Sequence, residues 1–249
     1  VEELKLPPVL KRIAANRTGF ILVAGPTGCG KTTTLASMVD LINRSRRGHI
    51  VTIEDPIEFM HQDRRSIVSQ REVMIDTTNF ARALRAVLRQ APDVILIGEM
   101  RDQESIGVAM AAAETGHLVL STLHTNSASE TVERIVNMFP PHEKPQICLR
   151  LSQTLRAVIC QQLVPHKSGE GRIAANEIMV VNPTIQGYIE EGTIGNIYPI
   201  IKQSEEQYGM QTMNMSLDRL VRSGDIEPRE ALARAGNLTE LKMMLRQTD

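Results

Sequence analysis

The chain has 249 residues, with 28 Lys and Arg against 29 Asp and Glu and 42% hydrophobic residues, an ordinary composition for a globular protein. Its formal net charge of −1 gives no bulk electrostatic case for nucleic acid as a partner. No apolar run approaches the ~18 residues of a membrane span and no signal peptide is visible, while three scattered cysteines (Cys29, Cys148, Cys160) argue against a disulfide framework or a four-cysteine zinc site and for a reducing compartment.

Taken in order, the chain opens at Val1 rather than Met, consistent with a preceding segment having been removed. Pro7-Pro8 leads into a short predicted helix through Leu10 to Ala15. Gly19 to Ala24 is a continuous apolar run, the pattern of a strand buried on both faces. Gly25-Pro26-Thr27-Gly28-Cys29-Gly30-Lys31-Thr32 follows it and fits the phosphate-loop pattern G-x-x-x-x-G-K-[ST]. Leu35, Met38, Val39 and Ile42 then recur at helical spacing. In such a strand–turn–helix unit the glycines let the backbone wrap a polyphosphate, and the amides from Gly28 to Thr33 point at the anion. Lys31 reaches the β- and γ-phosphates, and the Thr32 hydroxyl is placed to ligate Mg²⁺.

His49 to Glu54 reads as a second strand, closed by Asp55-Pro56. Ser66 to Gln70 alternates weakly and is expected to form an edge hairpin with Val73 to Ile75. Asn79 to Gln90 is a predicted helix whose buried face is Phe80, Ala83, Leu84, Val87 and Leu88. Arg82, Arg85 and Arg89 fall on its other face, open to two readings: a solvated surface or a subunit boundary. Val94 to Ile97 is the most buried-looking strand and runs into Gly98-Glu99. Gln103 to Glu114 is an alanine-rich helix capped by Gly116, and Leu118 to Leu123 is another apolar strand, bracketed by His117 and His124. Helices over 128–139 and 144–155, then strands over 158–164 and 173–180, complete an α/β pattern. Past Asn182-Pro183 the chain turns helical, with a stripe of Met213, Leu217, Leu220 and Val221, Pro228 at a first turn, and Asn237 with Glu240 as a capping box. The expected organisation is a nucleotide-binding α/β core over 1–181 and a small helical appendage over 182–249.

Hydrolysis would require a carboxylate beside the phosphate loop. Two candidates stand at C-terminal ends of strands, where open α/β sheets bind ligands: Glu99, and the acidic cluster Glu54, Asp55 and Glu58. His124 follows its strand on that same side and is placed to sense a γ-phosphate through a hydrogen bond, whereas spacing alone does not place His117.

Four boxes occur in order: G-P-T-G-C-G-K-T-T-T at 25–34, T-I-E-D-P-I-E-F at 52–59, A-P-D-V-I-L-I-G-E-M-R-D at 91–102, and T-G-H-L-V-L-S-T-L-H-T-N-S-A at 115–128. Together with G-M-Q-T-M at 209–213 they resemble the PilT/PilU-type twitching-motility ATPases of the type II/IV secretion ATPase superfamily, over nearly the whole chain. The resemblance implies a RecA-like core, ATP and Mg²⁺ as cofactors, and a homohexameric ring at the cytoplasmic face of the inner membrane that drives a platform protein to withdraw pilus subunits. It implies Glu99 as the Walker B carboxylate, acting on the metal in part through water, Glu54 as general base, and His117 and His124 as the histidine-box pair. The family's N-terminal PAS-like domain has no counterpart here, so assembly of the ring is expected to need more than this chain. Cys29 stands where Ser is usual, and contributes through its amide. Ala91 stands where Asp is usual, and Thr184-Ile185-Gln186-Gly187-Tyr188 stands near where retraction ATPases carry A-I-R-N-L. Both departures lean toward the PilU-like branch, which works beside a paralogous retraction ATPase. The competing readings are a DNA-handling motor on the same core, disfavoured by net charge, and a nucleotide-gated scaffold that hydrolyses slowly.

Overall fold

One seven-stranded sheet forms the centre of the computed structural model, which describes residues 4–246. The strands are β1 (Gly19–Ala24), β2 (His49–Glu54), β3 (Ile67–Glu72), β4 (Val94–Ile97), β5 (Leu118–Leu123), β6 (Leu155–Pro165) and β7 (Arg172–Val180), in the order β3-β2-β4-β5-β1-β6-β7. All neighbours pair in parallel except β6 with β7, which form an antiparallel hairpin. The helices are α1 (Val9–Ala14), α2 (Lys31–Ser45), α3 (Phe80–Val87), α4 (Gln103–Glu114), α5 (Ala128–Asn137), α6 (Lys144–Thr154), α7 (Pro183–Glu190), α8 (Ile197–Gln203), α9 (Glu205–Tyr208), α10 (Met213–Arg222), α11 (Pro228–Ala233) and α12 (Leu238–Arg246).

β1 is buried along its whole length because both faces of the sheet are covered. Its side chains alternate between two cores, as strand geometry requires. Phe20, Leu22 and Ala24 join α3 to α7 in one, while Ile21 and Val23 meet α1 and α2 in the other. A third cluster packs Met213, Leu217, Ile226, Ala231 and Leu241 from α10 to α12 on Val164, Ile173 and Ala175 of the β6–β7 hairpin. Helix starts carry their own stops: Asn79, Asp102, Ser127, Asn182 and Thr212 each accept a hydrogen bond from a first-turn amide.

Three expectations are corrected. β3 pairs in parallel with β2 along its full length, and no hairpin forms with 73–75, where Val73 makes one isolated bridge to Thr77. Joining that edge in parallel keeps the C-terminal ends of both strands on one side of the sheet. The predicted helix over 79–90 tightens into a 3₁₀ turn, Leu88–Gln90. The capping box at α12 is half made: the Glu240 amide donates to Asn237 Oδ1 at 3.0 Å, but the Glu240 carboxylate accepts from Tyr198, Lys202 and Asn214 instead.

Ala91 ends that 3₁₀ turn in the left-handed region, with φ 49° and ψ 54°. A β-carbon is unfavourable there by roughly 1–2 kcal/mol, and Asp or Asn is the commoner non-glycine choice. Ala91→Gly is therefore expected to raise stability by about 1 kcal/mol, read as a higher denaturant midpoint at unchanged m. A lower midpoint would mean that the Ala91 methyl contributes packing worth more than the strain.

Candidate functional site

β1, β2, β4 and β5 run in parallel, so the residues after their C-terminal ends gather at one edge of the sheet. They line a cleft of about 420 Å³ that contains Thr27, Gly28, Gly30, Lys31, Thr32, Thr33, Glu54, Asp55, Glu58, Glu99 and His124. A hollow of about 520 Å³ between β3 and α3 is larger but contains no phosphate-binding element.

The loop is shaped by glycine. Gly25, Gly28 and Gly30 have φ of 145°, 76° and 87°. A β-carbon on Gly25 would lie 2.4 Å from the Gln161 carbonyl oxygen and 2.6 Å from Cys29 Sγ. Pro26 leads the turn, and the Cys29 amide donates to its carbonyl at 3.3 Å. Helix α2 begins at Lys31, so its first amides, which have no intrahelical acceptor, open on the cleft beside Gly28 and Gly30. Lys31 is only 9% exposed. Its Nζ donates to the carbonyls of Gly25 at 2.8 Å and Pro26 at 3.1 Å, and burial lowers its pKa. The result is an ammonium held inside the loop by neutral partners, with unspent capacity for an anion.

Glu54 closes β2 and is buried; it accepts from Thr52 Oγ1 at 2.6 Å and Gln70 Nε2 at 3.2 Å. Gly98 brings the end of β4 against it: a β-carbon there would sit 3.3 Å from the Glu54 α-carbon. Glu99 follows, with Arg101 Nε 2.6 Å from one oxygen and His124 Nε2 3.8 Å from the other. That spacing does not make His124 cationic: burial first, then the charge of Lys31, lower its pKa and outweigh Glu99. His124 thus stands as a neutral imidazole at neutral pH. Thr32 Oγ1 donates to Glu58 Oε1 at 3.2 Å, so a hydroxyl and a carboxylate from different boxes meet.

His117 is not brought to the cleft. It precedes β5 at the opposite end of that strand, where Nδ1 donates to the Ala112 carbonyl at 2.9 Å and closes α4. Of the two histidines expected at the site, this chain's own cleft therefore takes only His124. Arg82, Arg85 and Arg89 are exposed and lie outside the cleft, Arg85 being paired with Glu104. Sequence reading missed Arg172, a cation that β7 contributes to the cleft, and His61, whose pKa is lowered chiefly by burial. It also missed Gln70, which lies in register with Thr52 and whose amide spans Glu54 and the loop at Phe59 and His61. None of these sits in a recognisable motif; strand pairing reveals Gln70 and Arg172, and the folding of the β2–β3 connection over the cleft reveals His61.

A parallel sheet in this order, a glycine loop entering a helix, and acidic residues at neighbouring strand ends define a RecA-like P-loop protein. The chain belongs to the type II/IV secretion system protein family, whose profile matches residues 5–232. It is 51% identical to a twitching motility protein of Neisseria gonorrhoeae over 237 residues, covering 95% of this chain and 63% of that protein. It is 45% identical to the type IV pilus ATPase PilU of Pseudomonas aeruginosa over 246 residues, 99% of this chain and 64% of the relative. The crystal structure of the pilus retraction motor PilT with bound ADP superposes with a TM-score of 0.91 at 44% identity, covering 97% of this chain and 68% of that one. The chain thus spans a little under two thirds of the length of the gonococcal and PilU relatives.

Proposed function

We propose that this chain is the ATP-hydrolysing motor portion of a type IV pilus retraction machine, coupling turnover to pilus disassembly in twitching motility. The observation that carries the reading is convergence: four boxes spread over residues 25–128 bring the phosphate loop, Glu54, Glu99 and His124 to one cleft. The relatives named above support the pilus system. In this reading Gly25, Pro26, Thr27, Gly28, Cys29, Gly30 and Thr33 cradle the triphosphate through the backbone. Lys31 exchanges loop carbonyls for phosphate oxygens. Glu54 accepts a proton from the attacking water, and neutral His124 hydrogen-bonds the γ-phosphate.

Mg²⁺ is held by one or two protein oxygens plus substrate phosphates and keeps several waters. The Thr32 hydroxyl and the Glu99 carboxylate, half-buried at the cleft, fit that requirement. The ion would neutralise charge on the phosphate oxygens.

The motor works as a homohexamer at the cytoplasmic side of the inner membrane, pushing on a platform protein, with no nucleic acid expected. Among the described residues no helix is long and apolar enough to cross a membrane. Residues 182–249 form the helical appendage of this reading, although Ile185, Ile189, Ile197 and Ile201 pack into the first core rather than apart from it. A PilU-like accessory role, with slow hydrolysis beside a paralogous retraction ATPase, is the second reading. Ala91 and Thr184 to Tyr188 favour it, whereas identity to the PilT of Pseudomonas aeruginosa, 48% over 235 residues, is higher than the 45% over 246 residues to its PilU.

The test is a chimaera in which residues 4–246 replace the matching segment of the gonococcal relative. Twitching is expected to return in a strain lacking that protein, and a chimaera carrying Lys31→Ala should leave it absent. A chimaera that hydrolyses ATP and assembles but restores no movement would point to another motor.

A further inference from the structure

The phosphate loop is braced from the far side of the sheet. Parallel pairing aligns Ala24 with Cys160, so the next residue, Gln161, lies against Gly25 as the loop begins. Antiparallel pairing sets the same Gln161 opposite Asn176. Gln161 is 3% exposed. Its Nε2 donates to the Cys29 carbonyl at 2.6 Å, and its Oε1 accepts from Thr34 Oγ1 at 2.8 Å and Asn176 Nδ2 at 3.1 Å. The amide orientation follows from Cys29, whose carbonyl only accepts. Gln161 also bounds the loop sterically: a β-carbon on Gly30 would lie 2.9 Å from Nε2.

Asn176 is held in turn by the C-terminal segment. Its carbonyl accepts from Gln211 Nε2 at 2.6 Å, and its amide donates to Ser216 Oγ at 3.0 Å. Gln211 exchanges two backbone hydrogen bonds with Ile178 and accepts from Arg219 at 2.8 Å. Gln211 is the central residue of G-M-Q-T-M, a box the cleft itself does not use.

We propose that Gln161 is a positioning residue for the phosphate loop, and that Asn176 and Gln211 fix Gln161, so that the C-terminal segment sets the geometry of the nucleotide cradle. The proposal rests on the cleft being a nucleotide site. A buried side-chain amide satisfied on both its atoms has one low-energy orientation, and every group bonded to it inherits that constraint. Cys29 and Thr34 flank Gly30, the residue whose left-handed conformation turns the loop into α2. Fixing both sides of that residue pre-organises the cradle, which reduces the ordering cost of binding a polyphosphate.

The test measures ADP affinity of the full chain with a fluorescent ADP analogue, the KM for ATP, and the melting temperature without nucleotide. Gln161→Met keeps the volume and removes both polar functions. It is expected to weaken ADP binding on the order of 10- to 100-fold, with KM rising in parallel and the loss not carried by kcat. Thr34→Val deletes one hydroxyl and keeps the shape, and Gln211→Met removes the bonds to Asn176 and Arg219 while leaving every hydrogen bond of Gln161 in place; each is expected to cost about 3- to 10-fold in affinity. A merely structural role would lower the melting temperature and leave the affinity of the folded fraction unchanged, which would overturn the proposal. If Gln161→Met does not fold, Thr34→Val decides alone by the same criterion. Lys31→Ala separates the two levels. Should it abolish binding while Gln161→Met and Thr34→Val bind as the parent does, the brace is refuted and the nucleotide site stands; should it bind ADP normally, both fall.

Discussion

Lys31→Ala is expected to abolish nucleotide binding by this chain while leaving it folded. The ammonium is almost fully buried, yet its partners are two loop carbonyls rather than a carboxylate. Neutral acceptors carry no counter-charge, and burial lowers its pKa more than the nearby Glu99 carboxylate raises it. A polyphosphate would supply the missing counter-charge in a partly water-excluded loop. Truncating one member of a buried, hydrogen-bonded charge pair typically costs 2–5 kcal/mol, or roughly 30- to 5,000-fold in affinity. The fold should survive because the groups that lose a partner are two backbone carbonyls, of exposed Pro26 and buried Gly25, and leaving the buried one unpaired costs about 1–3 kcal/mol. Equilibrium binding of ADP, with the thermal transition as control, measures both. Unchanged affinity would remove Lys31 from the site and with it the reading of the loop.

The second large effect separates chemistry from binding. Glu54→Gln is expected to cut turnover on the order of 10²- to 10⁴-fold with ATP affinity held within a few-fold. Gln keeps an oxygen acceptor for Thr52 Oγ1 and Gln70 Nε2, the two donors that orient Glu54, so the strand end should remain in place. What it loses is the ability to take a proton. Glu99→Gln should lower turnover comparably, but by weakening a metal site, so part of the loss should return as Mg²⁺ is raised. Steady-state rates over a Mg²⁺ series, with ATP binding measured separately, distinguish the two. If both variants lose affinity and keep their turnover, the roles given to the two carboxylates are wrong.

Much of this was legible in the sequence because it is local. A buried strand, a glycine turn and an amphipathic helix are written in consecutive residues, and the φ of Gly25, Gly28 and Gly30 matches what the motif demands. Glu54, Glu99 and His124 could be assigned to one edge because parallel strands deliver their C-terminal ends together. His117 shows the limit of that logic: a box in sequence reads as one unit, yet a strand of six residues separates its two histidines, and only one reaches the cleft.

The sequence by itself determined the phosphate loop, the α/β class and the edge of the sheet where the cleft lies, since backbone preference and hydrophobic period act over a few residues. Only the tertiary structure decided that β3 joins in parallel, that Glu240 turns from its own helix to Tyr198 42 residues away, and that Gln161 holds Cys29 across 132 residues of chain. The reason is physical. A polar side chain in a sheet takes its partner from whatever strand register sets beside it, and that register is chosen by the burial of whole strand faces rather than by the polar residue itself.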